Sequence, residues 1–171
     1  MMPITIWSII RWIHLLAAVL WIGGMFFILL VLLPILRRAL PKVERTLVLA
    51  KAGERFGVLS IVALTTLIVT GYFNAVHRHV VWSRLDDSSY GRTLGLKLIL
   101  VAVVIVVTFV HALYFGRKLT RLAERAKEMS DQDDPELAAA RRRAAIGSGI
   151  LSAVNLLLNL AIVLLAASLV P

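Results

Sequence analysis

Five ionisable side chains sit inside or at the edges of apolar stretches of this chain: His14, His77, His79, Lys97 and His111. Each carries a nitrogen able to bind a metal ion or move a proton, and imidazole suits both copper and iron. With no cysteine in the sequence, thiolate metal sites, thiol catalysis and disulfides are excluded together. An ionisable group within a membrane-spanning run is costly, which makes it a functional candidate by default. His14 is the strongest of the five, because it lies deeper than Arg11 in a run with no further Lys, Arg, Asp or Glu until Arg37. The others have ordinary readings beside the functional one. Lys97 can extend its ammonium to the headgroups along an apolar stem, and His77 and His79 can be interfacial residues. His111 can be a packing histidine bonded near Thr108 or to a backbone carbonyl.

The elements that must position these groups are four apolar runs, residues 4–36, 56–76, 94–115 and 144–170. Each exceeds the roughly 18 residues that mark a membrane-spanning helix. In hydrocarbon the backbone must satisfy its own hydrogen bonds, so each run is read as a helix. The sequence therefore predicts an all-α integral membrane four-helix bundle in contact with the lipid bilayer, a single domain over residues 1–171. A hydrophobic fraction of 60% and a mean hydropathy of +0.87 leave no room for a separate soluble domain. The first run is too long for a signal-peptide core, precedes a basic loop and lacks a small-x-small cleavage pattern, so it is expected to be retained.

The formal net charge of +9 reads as a topology signal. Fourteen Lys and Arg residues fall in regions 37–55 and 117–143, against four in the N-terminal tail and the 77–92 loop. Lys and Arg concentrate on the cytoplasmic side, so both termini are expected outside (N-out, C-out) and both basic regions inside. No nucleic-acid reading element accompanies the charge, and no nucleic-acid partner is expected.

Local signals refine the spans. Trp7 and Trp12 sit at belt depth, and Tyr72 and Trp82 mark the same outer boundary. Gly23 and Gly24 offer a place for close helix approach. Pro34 is expected to bend or end the first helix, and Pro41 suits the first turn of the next. Residues 42–55 read as a charged lead-in to the second span, and 117–129 as a continuation of the third, with Arg121–Glu124 and Arg125–Glu128 at i,i+3 spacing. After a turn at 130–135, Asp134 is a good N-cap and Pro135 a good first residue for the fourth helix. The result is a cytoplasmic helical hairpin with arms of about 20 Å.

Depth then sorts the candidates. Lys97 and His111 are 14 residues apart, which at about 100° and 1.5 Å per residue places them within roughly 40° on one face but about 21 Å apart along the axis. They cannot ligate one small ion. His14 lies near the depth of Lys97, and His77 and His79 close the second helix at that outer rim, with Met1 and Met2 at the same end. Two polar stripes face the bundle interior: Thr66, Thr70, Asn74 and His77 on the second helix, and Ser148, Ser152, Asn155 and Asn159 on the fourth. Either stripe can line a pathway or act as interhelical glue at about 0.6 kcal/mol per contact.

Several segments resemble a known family. Arg11-Trp-Ile-His14 through Trp21-Ile-Gly-Gly24, Arg55-Phe-Gly-Val-Leu-Ser60 with Thr70-Gly-Tyr-Phe-Asn-Ala75, and Tyr90-Gly-Arg-Thr-Leu-Gly-Leu-Lys97 are similar to the membrane domain of the CopD-type copper-resistance proteins. The resemblance covers about residues 10–116. It implies a bacterial inner-membrane protein of copper uptake or tolerance, with His14, His77 and His79 as copper ligands. Its implied partners are a copper ion, a periplasmic copper donor and further copies of the chain in a homo-oligomer. The four methionines form no Met-x-x-Met ladder, which leaves imidazole as the implied donor. A second, more distant resemblance is to the HemJ-type protoporphyrinogen oxidases, through a first-helix His, a Lys opening the third helix and a His near its end. That likeness implies a b-type haem near His14 and Lys97, in electron transfer or porphyrinogen oxidation. A third reading is a structural or assembly protein whose polar residues only hold helices together.

Overall fold

The computed structural model describes residues 4–128 and 134–169, the side chain of Arg84 excepted. Within them the chain forms four long helices, α1 (Ile6–Ala39), α2 (Lys42–His77), α3 (Ser89–Glu128) and α4 (Pro135–Ser168), each long and apolar enough to cross a membrane. A 3₁₀ turn, Trp82–Asp87, lies against the start of α3. In their most apolar windows the helices bury only 11, 22, 6 and 17% of residues against one another. So much outward Leu, Ile, Val and Phe is compatible with water nowhere along the spans. This is a multi-pass membrane protein with lipid as the second half of its core.

The helix ends follow from capping. Thr5 accepts from the Ser8 N–H at 3.3 Å, and Ser88 accepts from the Gly91 N–H at 3.0 Å. Asp134 accepts from the N–H groups of Glu136 and Leu137 at 2.9 and 3.1 Å, and Pro135 opens α4. The helices outrun the apolar runs that announced them. At 40 residues and about 1.5 Å per residue, α3 is about 60 Å long, twice a hydrocarbon core of about 30 Å.

Pro34 neither ends α1 nor begins a loop. A π turn at Phe27–Leu32 immediately precedes it, and the helix runs on to Ala39. The wider turn re-satisfies the backbone around a residue that has no N–H. Pro41 takes the N-cap position of α2 rather than its first turn, and its carbonyl accepts from the Arg45 N–H at 3.0 Å. At the other end of α2 the chain closes in a Schellman motif. Val80 N–H reaches Ala75 O at 3.2 Å and His79 N–H reaches Val76 O at 3.0 Å. His79 holds the left-handed position with φ 55°.

Two seams organise the bundle. Along α1 and α2, Trp7 meets His77, His14 meets Thr70, and Trp21 packs with Ala63. These pairs recur every seven residues on both helices, the repeat of a shallow left-handed crossing near about 20°. The second seam joins α3 to α4. All four helices meet at a small core of Trp21, Ala63, Leu64 and Val104, flanked by Met25, Phe56 and Leu158. Beyond the apolar spans, the last part of α3 packs between the first parts of α2 and α4 through Ala123 and Ala126, both fully buried. The expected Arg121–Glu124 and Arg125–Glu128 pairs are not formed among the described residues.

Three glycines, Gly24, Gly91 and Gly147, have a steric reason, the last with a Cβ position 2.7 Å from the Phe115 ring. A Cβ on Gly24 would fall 2.2 Å from the Phe56 ring, and one on Gly91 would fall 2.1 Å from the Leu85 carbonyl oxygen of the 3₁₀ turn. Gly23 has nothing within 4 Å. A phenyl ring can rotate away and a backbone carbonyl cannot, which orders the outcomes. Gly23→Ala should be neutral or stabilise by up to about 1 kcal/mol, since alanine restricts the unfolded chain. Gly24→Ala should cost about 1–3 kcal/mol, in the range of overpacking, and Gly91→Ala should cost more. Thermal unfolding of the three variants in detergent measures the order.

Candidate functional site

At one end of the bundle, α1, α2 and the start of α3 bring His14, Thr70 and Lys97 together. His14 Nδ1 lies 2.7 Å from Thr70 Oγ1. The Thr70 hydroxyl itself donates to the Thr66 carbonyl one turn earlier. With its proton committed there, Oγ1 accepts from His14, so Nδ1 carries the hydrogen and the lone pair lies on Nε2. Gly71 makes the approach possible, since a Cβ there would lie 3.4 Å from His14 Cε1. A hydrogen bond that fixes the tautomer and aims the other nitrogen outward is how a ligating histidine is usually held.

Lys97 is half-buried and close enough for its charge to act on the His14 ring, and Arg78 is close enough to act on Lys97. Lys97 makes no hydrogen bond or ion pair among the described residues. Arg78 donates to the Leu169 carbonyl at 3.1 Å, tying the end of α2 to the end of α4. A separate apolar groove of about 160 Å³ lies between α1 and α2, lined by Ile13, Leu16, Ala17, Leu20, Val62 and Thr66, among others, and His14 is not part of its lining.

The other imidazoles go elsewhere. The His77 ring stacks on Trp7, with centroids 4.1 Å apart and planes 12° apart. His79 is exposed and serves the chain by its backbone conformation. Among the described residues, no three His, Asp or Glu side chains converge on a metal-holding group. The set His14, His77 and His79 therefore does not form a three-ligand cluster. Asn74 is half-buried and gives its carbonyl to the Arg78 N–H. Met1 and Met2 lie outside the described residues.

His111 belongs to the second seam. Its Nε2 lies 3.0 Å from Ser148 Oγ and 3.1 Å from Ser152 Oγ, both on α4, at the first residue of a π turn (His111–Gly116). Its side-chain partners are these serines rather than Thr108, and the Ser148 backbone also bears on the ring. From there a hydrogen-bonded ladder runs inward. Asn155 donates to Thr108 at 3.1 Å, and Asn159 donates to the Asn155 side-chain oxygen at 3.1 Å and lies 3.9 Å from Met25 Sδ. Asn155 and Asn159 are buried and Ser148 is half-buried, whereas Ser152 is exposed, so the fourth-helix stripe faces the interior at its two asparagines. The indole nitrogen of Trp21 is the one buried side-chain nitrogen or oxygen among the described residues without a partner.

Sequence reasoning placed Thr70 in an interior stripe but missed its bond to His14. A signal was present: Trp7, His14 and Trp21 on one helix and Ala63, Thr70 and His77 on the next share a seven-residue step. Aligning the two repeats head to tail gives the pairing.

Residues 16–128 match the family described as Domain of unknown function (DUF4149), and the chain belongs to that family. The match begins two residues after His14 and ends with α3, so α4 lies beyond it. No curated protein and no solved structure matches the chain.

The geometry assigns His14 one tautomer, and this can be read directly. Nitrogen-15 NMR of histidine side chains should show His14 as the Nδ1–H form. Thr70→Ser should preserve that signature, and Thr70→Val should weaken it, because valine removes the hydroxyl and leaves only the Leu67 backbone as acceptor. An unchanged tautomer in Thr70→Val would remove the hydroxyl from the site.

Proposed function

We propose that this protein is a membrane-embedded redox protein with a b-type haem at the His14 end of the bundle. The observation that supports this most is His14 itself, with Nδ1 bonded to Thr70 and Nε2 left as a donor atom. The charges nearby favour haem over a bare cation. Lys97 and Arg78 face this end without a paired carboxylate among the described residues, a field that repels a copper ion and attracts a group bearing carboxylates. In this reading His14 would hold the iron, Thr70 would fix the imidazole ring, and Lys97 would serve as a second donor as an amine or pair with a propionate as an ammonium. When bound, haem would supply one-electron transfer, and the protein's levers on it would be its donor side chains, hydrogen bonds and burial.

Copper uptake or tolerance is the second reading, supported by the Tyr90–Lys97 segment that resembles the copper-type pattern. Under either reading the basic asymmetry puts the His14 end and both termini outside, with the end of α3 and the start of α4 in the cytoplasm of a bacterium. Cysteines introduced at Ser88 and Glu136 test this with an impermeant thiol reagent on intact cells. Labelling at Ser88 alone is expected, and labelling at Glu136 alone reverses the orientation.

The cofactor is decided by an optical spectrum and metal analysis of the purified protein. A Soret band is expected, lost in His14→Ala and shifted in Lys97→Met. Lys97→Arg separates the two roles of the lysine, keeping a propionate partner but removing a ligand. His77→Ala and His79→Gly should leave the spectrum unchanged, and His79→Gly should hold or raise stability because glycine suits φ 55°. A colourless protein that binds copper, and loses it in His14→Ala and in the His77/His79 double variant, overturns the haem reading in favour of copper.

A further inference from the structure

At the far end of α3 from Lys97, the helix carries a basic groove that the His14 site does not use. It has a volume of about 530 Å³ and is lined by Leu113, Tyr114, Arg117, Lys118, Arg121 and Arg125, among others, with no acidic residue. Leu113, Arg117, Arg121 and Arg125 are four residues apart, so successive side chains rise about 6 Å along nearly one face. Arg117, Arg121 and Arg125 are exposed and make no ion pair or hydrogen bond among the described residues, although Glu124 and Glu128 are within one helical turn. Lys118 is held in place, its Nζ donating to Tyr114 Oη at 3.2 Å and lying 5.2 Å from the centre of the Tyr114 ring. The opposite face, with Ala123 and Ala126, is fully buried against α2 and α4.

We propose that this groove binds the phosphate headgroup of an anionic phospholipid. The guanidinium fork matches phosphate oxygens in two-point contacts, and a run of unpaired arginines one turn apart suits a headgroup with one or two phosphates. What commits the groove to a lipid is its continuity with the lipid-facing side of the span. Val106, Phe109, Val110 and Leu113 are exposed immediately before the first arginine, giving acyl chains a surface where the phosphate meets its cations. Basic clusters at the exit of a spanning helix attract anionic lipid in general. Here the ligands are specific, because other exposed cations such as Arg38, Arg142 and Arg143 do not line the groove.

The test uses the full-length protein in neutral detergent. Lipid retention is followed by native mass spectrometry, and thermal unfolding is measured with added phosphatidylglycerol or cardiolipin against phosphatidylcholine. Anionic lipid should bind and raise the unfolding temperature, and phosphatidylcholine should not. The triple variant Arg117→Gln, Arg121→Gln, Arg125→Gln should weaken anionic-lipid binding by about tenfold or more. The charge-matched control Arg38→Gln, Arg142→Gln, Arg143→Gln should change it less than about twofold. Equal loss in both variants, or loss in neither, overturns the proposal, the first by showing that the attraction is diffuse. Inorganic phosphate at the same concentration should neither bind nor stabilise, and equal binding of phosphate would make the site one for a soluble anion. Should the triple variant not fold, Arg121→Lys keeps the charge without the fork, and an undiminished lipid affinity there and in Arg117→Lys would equally overturn the assignment.

Discussion

A backbone in hydrocarbon has no water to bond, and every other property of this protein follows from meeting that condition within helices. The condition explains why Pro34 is bridged by a π turn instead of breaking α1. It also explains why the interior polar groups come as bonded partners. Across the α3–α4 seam Asn155 meets Thr108 and His111 meets Ser148 and Ser152, while Asn159 bonds Asn155 within α4. The same pressure acts on His14, which meets Thr70 across the α1–α2 seam.

The two seams differ in what they leave over. Along α3 and α4, the His111 nitrogen that meets α4 faces two serine hydroxyls, and the remaining contacts run from amide to hydroxyl or amide. That pattern suits glue, holding register where hydrophobic pairing cannot distinguish one face from another. Along α1 and α2, the Thr70 bond uses one ring nitrogen of His14 and leaves the other with a lone pair, next to Lys97. A donor atom left over in a membrane interior is expensive unless something takes it. His111 likewise spends one ring nitrogen, Nε2, on its partners, so it is the charges of Lys97 and Arg78 beside His14 that favour the His14 end for the proposed cofactor site.

Charge is organised by the same boundary. Arginines on the last part of α3 stand free of nearby glutamates, while alanines on its other face close three helices together. Small side chains inside and cations outside let one helix serve as both a packing element and a headgroup-facing surface. The i,i+3 pairs expected on that helix would each be worth only about 0.2–0.5 kcal/mol, too little to hold a long side chain against solvent or lipid phosphate.

The sequence by itself determined that there are four spanning helices, because length and apolarity answer to the thickness of the bilayer and need no tertiary contact. It also determined the cap at Asp134 and the inward direction of Asn155 and Asn159, since each depends on local chemistry or on one helical face. It set His14 and Lys97 at one depth by counting residues. What it could not decide was lateral: which helix stands beside which, and in what register. Only packing joined His14 to Thr70 and sent the His77 ring to Trp7, while His79 closes α2 in the left-handed position. The reason is that depth along a helix is fixed by covalent geometry, whereas the pairing of faces is fixed by contacts between segments far apart in the chain.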